Sequence, residues 1–194
     1  MASFILPPFQ NEGAASEEAI MTRNFANLKV LVAVSDDPAQ ARLREQLREI
    51  GISIHETAVN KREAMRKLEN WRADIILAEA ATPVDCIGLA QRLRCAENVY
   101  RYTPIIMVTA KPNMMLVRRA ISAGINEILV TPVQLDTLSY RIAFVVHRPR
   151  NVVSAGNYTG PNRRRLKMAV KHRRRTEDWE AMAYRHEMLG AFGG

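Results

Sequence analysis

The chain has 194 residues, 47% of them apolar, and a formal net charge of +8. That length suits one globular domain of about 120 residues with extensions, and no apolar run approaches the roughly 20 residues of a membrane span. The opening Met1-Ala-Ser-Phe-Ile-Leu-Pro-Pro lacks the basic and apolar segments of a signal peptide. Two cysteines, Cys86 and Cys95, make neither a disulfide framework nor a zinc ligand set. The expectation is a cytoplasmic protein with reduced thiols and no metal held by its four scattered histidines.

Residues 1–27 read as a flexible leader of small and acidic residues after Pro7-Pro8. The regular pattern starts at Leu28. Lys29–Val34 is apolar and β-branched, as a strand buried on both faces must be. Leu43, Leu47 and Ile50 follow at helical spacing, and Gly51 stands where a helix C-terminal cap belongs. Ile52–Thr57 alternates like an edge strand. Asn60 is positioned to cap a helix carrying Ala64, Met65, Leu68 and Trp71. Asp74-Ile-Ile-Leu-Ala is a third strand, and Ile87, Leu89, Ala90 and Leu93 mark a third helix. Pro104-Ile-Ile-Met-Val-Thr is a fourth strand, and Met114–Ala123 a fourth helix stopped by Gly124. Glu127-Ile-Leu-Val is a fifth strand, followed by a helix over Leu135–Val146.

Five strand–helix repeats over residues 28–147 predict an α/β domain, a doubly wound parallel sheet covered by helices on both faces. Right-handed crossovers restrict the topology, and ligand chemistry in such sheets sits at the carboxyl ends of the strands. Functional residues are therefore expected just after Val34, Ala78, Val108 and Val130.

At those positions stand Asp74-Ile-Ile-Leu-Ala-Glu-Ala-Ala-Thr-Pro, Pro104-Ile-Ile-Met-Val-Thr-Ala and Val130-Thr-Pro. Over Leu28 to His147 these segments resemble the strand ends of CheY-like response-regulator receivers. The resemblance implies the (βα)5 sheet order 2-1-3-4-5. It also implies phosphoryl transfer from a histidine kinase onto one Asp, with Mg²⁺ held by acids after the first strand. A Thr or Ser after strand four and a Lys after strand five bind the phosphoryl oxygens in such receivers, and the cations neutralise the developing charge.

This chain departs from that pattern. Glu79 stands at the phosphoacceptor position, one methylene longer than Asp and misplaced for in-line attack. Thr131 replaces the Lys and brings no cation. Thr109 matches the hydroxyl residue, and Ile128 stands where an aromatic switch residue is usual. The acid pair depends on register. Without a gap, Val34 and Ser35 take its positions, and Asp36 and Asp37 fall just past the pocket. Asp37 then reads as the N-cap of a helix with Pro38 first. The alternative register keeps Asp36 and Asp37 as the pair. Poor phosphate acceptance and weak Mg²⁺ binding are expected. Glu79 then either imitates a phosphorylated site or is a solvated rim residue, and the sequence leaves both open.

The resemblance also places a contact face on the fourth helix, fifth strand and fifth helix, here carrying Arg118, Arg119, Ile128, Tyr140 and Arg141. An ordinary mixed helix surface is the alternative. Beyond it, the charge is concentrated: residues 147–175 hold ten Lys and Arg and no acid. Pro149 ends the fifth helix, and Asn151–Asn162, with Gly156, Gly160 and Pro161, reads as a flexible linker or extended arm. The phrase Asn157-Tyr-Thr-Gly-Pro-Asn-Arg-Arg-Arg resembles a tail found after receivers in some alphaproteobacterial regulators.

Residues 148–175 thus form a basic arm whose Arg163, Arg164, Arg165, Lys167, Lys171, Arg173, Arg174 and Arg175 attract polyanions, such as nucleic acid or a cyclic dinucleotide. The alternative is a solvated tail. Thr176-Glu-Asp opens a short amphipathic helix within 176–194, with Trp179, Met182, Ala183, His186 and Leu189 on one face. Three functions stand open: a degenerate receiver that signals by protein contact without enzymatic activity, a polyanion binder, and an active phosphorelay receiver with an unusual pocket.

Overall fold

The computed structural model describes residues 25–95, 98–147, 152–155 and 158–162. Five strands, β1 (Val30–Ala33), β2 (His55–Ala58), β3 (Ile75–Glu79), β4 (Ile105–Thr109) and β5 (Glu127–Val130), form one sheet. All pair in parallel, in the order β2-β1-β3-β4-β5. Five helices connect and follow them: α1 (Asp37–Glu49), α2 (Lys61–Asn70), α3 (Cys86–Leu93), α4 (Met114–Ser122) and α5 (Leu135–His147). This is the doubly wound (βα)5 architecture that the alternation of buried strands and amphipathic helices demands.

Strand alternation sorts the core into two layers. Leu31, Ala33, Ile76, Ala78, Ile105 and Met107 pack with Leu68 of α2, Leu89 and Leu93 of α3 and Ala120 of α4. Val30, Val32, Ile75, Leu77, Ile106, Val108 and Leu129 pack with Leu43 and Leu47 of α1 and Leu138 and Ile142 of α5. Each buried Leu or Ile contributes about 1.5–3 kcal/mol, so the sheet is the rigid element on which the loops are mounted.

Several boundaries differ from the sequence reading. Asp36, not Asp37, caps α1: its carboxylate accepts from Ala39 N–H at 3.2 Å, and Asp36 O accepts the first intrahelical bond from Gln40 N–H at 2.9 Å. Two residues, Val34 and Ser35, therefore suffice to connect β1 to the cap. Ile52 is buried but does not open β2, because its N–H donates to Leu47 O (2.8 Å) in closing the α1 cap around Gly51, at φ +88°. Pairing begins only at Val30 with His55. The folded unit also starts before Leu28: Phe25 is buried and stacks on His147, ring centroids 6.0 Å apart.

The largest difference follows α5. The stretch expected as a linker contains β6 (Val152–Ala155) and β7 (Tyr158–Pro161), an antiparallel pair. It docks at the amino edge of the large sheet. Arg101 Nη2 donates to Ser154 Oγ at 3.1 Å. Gly124, at φ +79°, lies so close that an added Cβ would stand 2.6 Å from Thr159 O, and a Cβ on Gly160 would stand 2.6 Å from Gly124 Cα. The leader before Phe25, the arginine run from Arg163 to Arg175 and the amphipathic helix expected after Thr176 lie outside the described residues. Among the described residues, no helix is long and apolar enough to cross a membrane.

Candidate functional site

The carboxyl edge of the sheet gathers the residues singled out above. Register sets them in two successive rows: Glu79 pairs with Val108, and Thr109 pairs with Val130. Val34 continues β1 by donating to Ala58 O at 3.0 Å, which brings Ser35 to the mouth of the cleft beside β3. Thr131 follows β5, its N–H donating to Thr109 O at 2.9 Å.

Glu79 is half-buried, and its partner is Ser35. The Ser35 N–H and hydroxyl both donate to Oε2 of Glu79, at 3.0 Å and 2.6 Å. Two donors on one carboxylate oxygen satisfy much of its hydrogen-bonding capacity without a cation, and such charge-assisted bonds are short and strong. Glu79 is therefore tied into the fold across β1 and β3 and is not a freely solvated rim group. The longer Glu side chain makes this reach to the next strand's loop feasible.

The aspartates do not converge on it. Asp36 is exposed and spends its carboxylate on the α1 cap, and Asp37 is an exposed first-turn residue. Among the described residues no three His, Cys, Asp or Glu side chains form a group that could hold a metal ion. Of the acids at this edge, Glu79 is bonded by Ser35, Asp36 caps α1 and Asp37 lies exposed in the first turn of that helix, so the three carboxylates do not form a ready cation cage. Thr109 is buried, and its Oγ1 accepts from Lys111 N–H at 3.3 Å, which fixes the start of the β4–α4 loop.

Three further features shape this edge. Gln40 is buried, and its Nε2 donates to Val34 O (2.9 Å) and Ala58 O (3.3 Å), clamping the ends of β1 and β2. Asp85, in a left-handed conformation at φ 49°, caps α3 through Gly88 N–H (3.1 Å) and pairs with Lys61 Nζ (2.7 Å). Burial pushes its carboxyl upward, but Lys61 and the Gly88 N–H outweigh that and hold it below the usual carboxylate range. Gly88 is needed there, since a Cβ would lie 2.2 Å from Asp85 Oδ2. Sequence reasoning missed both devices. The Asp-x-x-Gly spacing at the head of α3 was the available signal for the second, and nothing in the pattern announced Gln40.

Ile128 lies in the row of Met107 and packs, partly buried, against the α2–α3–α4 core layer. Of the other face residues, Arg141 bonds Glu127 at 3.0 Å and lies over the Tyr140 ring, while Tyr140 stacks on Phe144. Arg118 and Arg119 are exposed on α4. The face thus presents the two α4 arginines outward, whereas Ile128 turns into the core and Arg141 is engaged within the fold. Cys86 is buried, and burial pushes its thiol well above the ordinary range. Cys95 is exposed.

Known proteins resemble this arrangement. The Vibrio cholerae chemotaxis protein CheY4 superposes with a TM-score of 0.57 at 25% identity, covering 61% of this chain and 98% of that one. The receiver domain of a sensor histidine kinase from Pseudomonas aeruginosa, which has a magnesium ion coordinated in its active site cleft, gives 0.54 at 27% identity, covering 60% and 94%. In sequence, the hybrid signal transduction histidine kinase G of Dictyostelium discoideum is 30% identical over 118 residues, 59% of this chain but 3% of that protein. The transcriptional regulatory protein PdtaR of Mycobacterium tuberculosis is 30% identical over 127 residues, and the match spans 65% of this chain and 60% of that protein. The family model for the response regulator receiver domain matches residues 30–143, which contain the whole five-stranded sheet and the Ser35–Glu79 contact. With that match and the β2-β1-β3-β4-β5 order, the chain belongs to the response-regulator receiver family of two-component signalling.

Proposed function

We propose that this chain is a receiver that does not run a phosphate switch and catalyses no reaction of its own, but signals by protein contact. The observation that carries this reading is the Glu79 carboxylate accepting two hydrogen bonds from Ser35. A carboxylate so held is a weaker nucleophile, because two donors on Oε2 draw charge from the group and fix the direction in which Oε1 can point. It is also one methylene out of place, and positioning errors of that size are costly. Thr131 supplies no cation to offset the charge that would develop. The bonded pair instead bridges β1 and β3, which favours one conformation of the cleft.

Information then passes through surfaces. The exposed Arg118 and Arg119 on α4 suit an acidic partner face. Two of the proteins similar to this chain are named as a hybrid signal transduction histidine kinase and a virulence sensor protein, which supports a partner of the histidine kinase class. The test is incubation of the full chain with a small phosphodonor and Mg²⁺, followed by intact mass. No phosphoryl adduct is expected on the wild type, under conditions where an active receiver run in parallel is modified. An adduct that disappears in Glu79→Gln would overturn the proposal.

A further inference from the structure

The amino edge of the sheet, opposite Glu79, carries an element that lies beyond the receiver match at residues 30–143: the β6–β7 hairpin. Among the described residues, no side chain of this hairpin belongs to either core layer, and both layers are built from residues between Phe25 and Val146. The hairpin residues that are buried, Gly160 and Pro161, are small. The two strands are also tied by their own bonds: Ser154 Oγ lies 3.1 Å from Thr159 Oγ1, and the Tyr158 hydroxyl donates to Pro161 O at 2.8 Å. The hairpin is thus a small unit laid on a finished domain.

Its resting place is the backbone of Gly124. A Cβ there would stand 2.6 Å from Thr159 O and 3.1 Å from Arg94 Nε, so the hairpin and the buried guanidinium converge on one point. Gly124 also closes α4. Its N–H donates to Ile121 O (3.0 Å) and Ile125 N–H donates to Ala120 O (3.1 Å), the paired bonds that tie a left-handed glycine to the last helical turn. Arg94 extends the contact to the loop between α3 and β4. Its Nη1 donates to Arg101 O and Thr103 O, both at 2.9 Å, and its Nε to Gly124 O at 3.1 Å. From that loop Arg101 Nη2 returns to Ser154 Oγ at 3.1 Å. Hairpin, loop and the end of α4 therefore close a ring of contacts around Arg94.

The oxygens that receive these Arg94 bonds are carbonyl oxygens, joined by Asn126 Oδ1 at 3.1 Å, so the charge is buried against dipoles and not against an anion. Burial lowers its pKa to about 10, and Tyr158 of β7 stands near enough to oppose part of that shift. Lifting the hairpin rehydrates the cation and exposes the apolar surface of two small residues. Opening here is a local event that leaves the buried strands untouched.

We infer that the hairpin is a detachable strap. Docked, it clamps the end of α4 and the loop at residues 98–104; lifted, it frees both while the five-stranded core stays folded. Because α4 carries the exposed Arg118 and Arg119, the strap sets how firmly that surface is presented. It requires nothing of Glu79, so it stands or falls apart from the phosphodonor result.

The test is hydrogen exchange read by mass spectrometry on the full chain. Amides of residues 152–161 are expected to exchange faster than those of β1 and β3 and slower than an unstructured peptide. Gly160→Ala places a Cβ 2.6 Å from Gly124 Cα and should lift the hairpin. Exchange should then rise about tenfold in residues 152–161, in 98–104 and in the last turn of α4, and stay unchanged in β1 and β3. Ser154→Ala removes the bonds to Arg101 and Thr159 and adds no bulk, so it should give the same pattern at about threefold even where the glycine variant folds poorly. A wild-type hairpin that opens only with the core strands, or that exchanges like an unstructured peptide, would overturn the inference. So would a hairpin indifferent to both variants, or one that loosens while 98–104 and α4 stay as protected as before.

Discussion

If Ser35 holds Glu79 in place of a metal-binding acid pair, then an acid at position 35 should unbalance the cleft in a way that a divalent cation repairs. Ser35→Asp removes the 2.6 Å hydroxyl bond to Glu79 and puts a second carboxylate in the same space. Two carboxylates about 4 Å apart repel by about 4 kcal/mol at an effective dielectric constant of about 20, and by about 1 kcal/mol in bulk water. The half-buried cleft lies between these limits. The lost charge-assisted bond adds roughly 1.5–3 kcal/mol, part of which water recovers. The expected loss is therefore roughly 2–5 kcal/mol in EDTA, read from urea or thermal unfolding. Adding Mg²⁺ should restore much of it in Ser35→Asp and leave the wild type unmoved, because a ligand stabilises only the state that binds it. A variant as stable as wild type in EDTA would refute the account of Glu79, and so would a wild type that itself melts higher in Mg²⁺.

Two other outcomes follow from the same geometry. Arg94→Met should cost about 3 kcal/mol, because the carbonyls of Gly124, Arg101 and Thr103 each lose a donor at roughly 1 kcal/mol apiece. Chemical denaturation reads that loss, and an unchanged midpoint would contradict it. His55 is lowered from its ordinary 6.5 by burial first and then by Arg44 and Arg48, with Arg44 Nε donating to its Nε2 at 3.2 Å. The unfolded chain then takes up the proton before the folded one, so stability is full above about pH 6.5 and falls below it. His55→Gln should shrink the drop in melting temperature between neutral and mildly acidic pH, and an undiminished drop would assign the acid sensitivity to other groups.

The sheet was legible in the sequence because burial on both faces leaves continuous runs such as Val30–Ala33 and Ile75–Ala78, and because Gly51 and Gly124 mark helix ends at positive φ. The positions at the carboxyl edge followed from topology once those runs were placed. Contacts between them did not. Nothing local distinguishes Ser35 as the partner of Glu79, 44 residues away. The Asp36 cap was misplaced by one residue because either aspartate satisfies the capping preference, and the choice rests on how few residues join β1 to α1. The hairpin was missed for a different reason. Val152-Val-Ser-Ala and Tyr158-Thr-Gly-Pro flank Gly156-Asn157, a two-residue spacing that favours a tight turn, but the Gly and Pro content read as a linker. Its docking depends on Gly124 and Gly160 meeting without side chains, which is a tertiary requirement.

The two edges lie about 17 Å apart, the length of a five-residue strand, and the strands between them are too well buried to slide independently. α4 touches both. Its Asn113 cap accepts from Leu116 N–H two residues after Lys111, whose N–H rests on Thr109. Its other end runs into Gly124, which meets Arg94 and the hairpin. α4 also carries Arg118 and Arg119 and packs through Leu116 on the core layer that holds Ile128. A displacement of α4 by a protein partner would therefore be felt at Gly124 and, through it, at Arg94 and the docked hairpin. Coupling of this kind is reciprocal in free energy. A partner seated on α4 and the packing at the Gly124–Gly160 contact would therefore influence each other equally, without any change at Glu79.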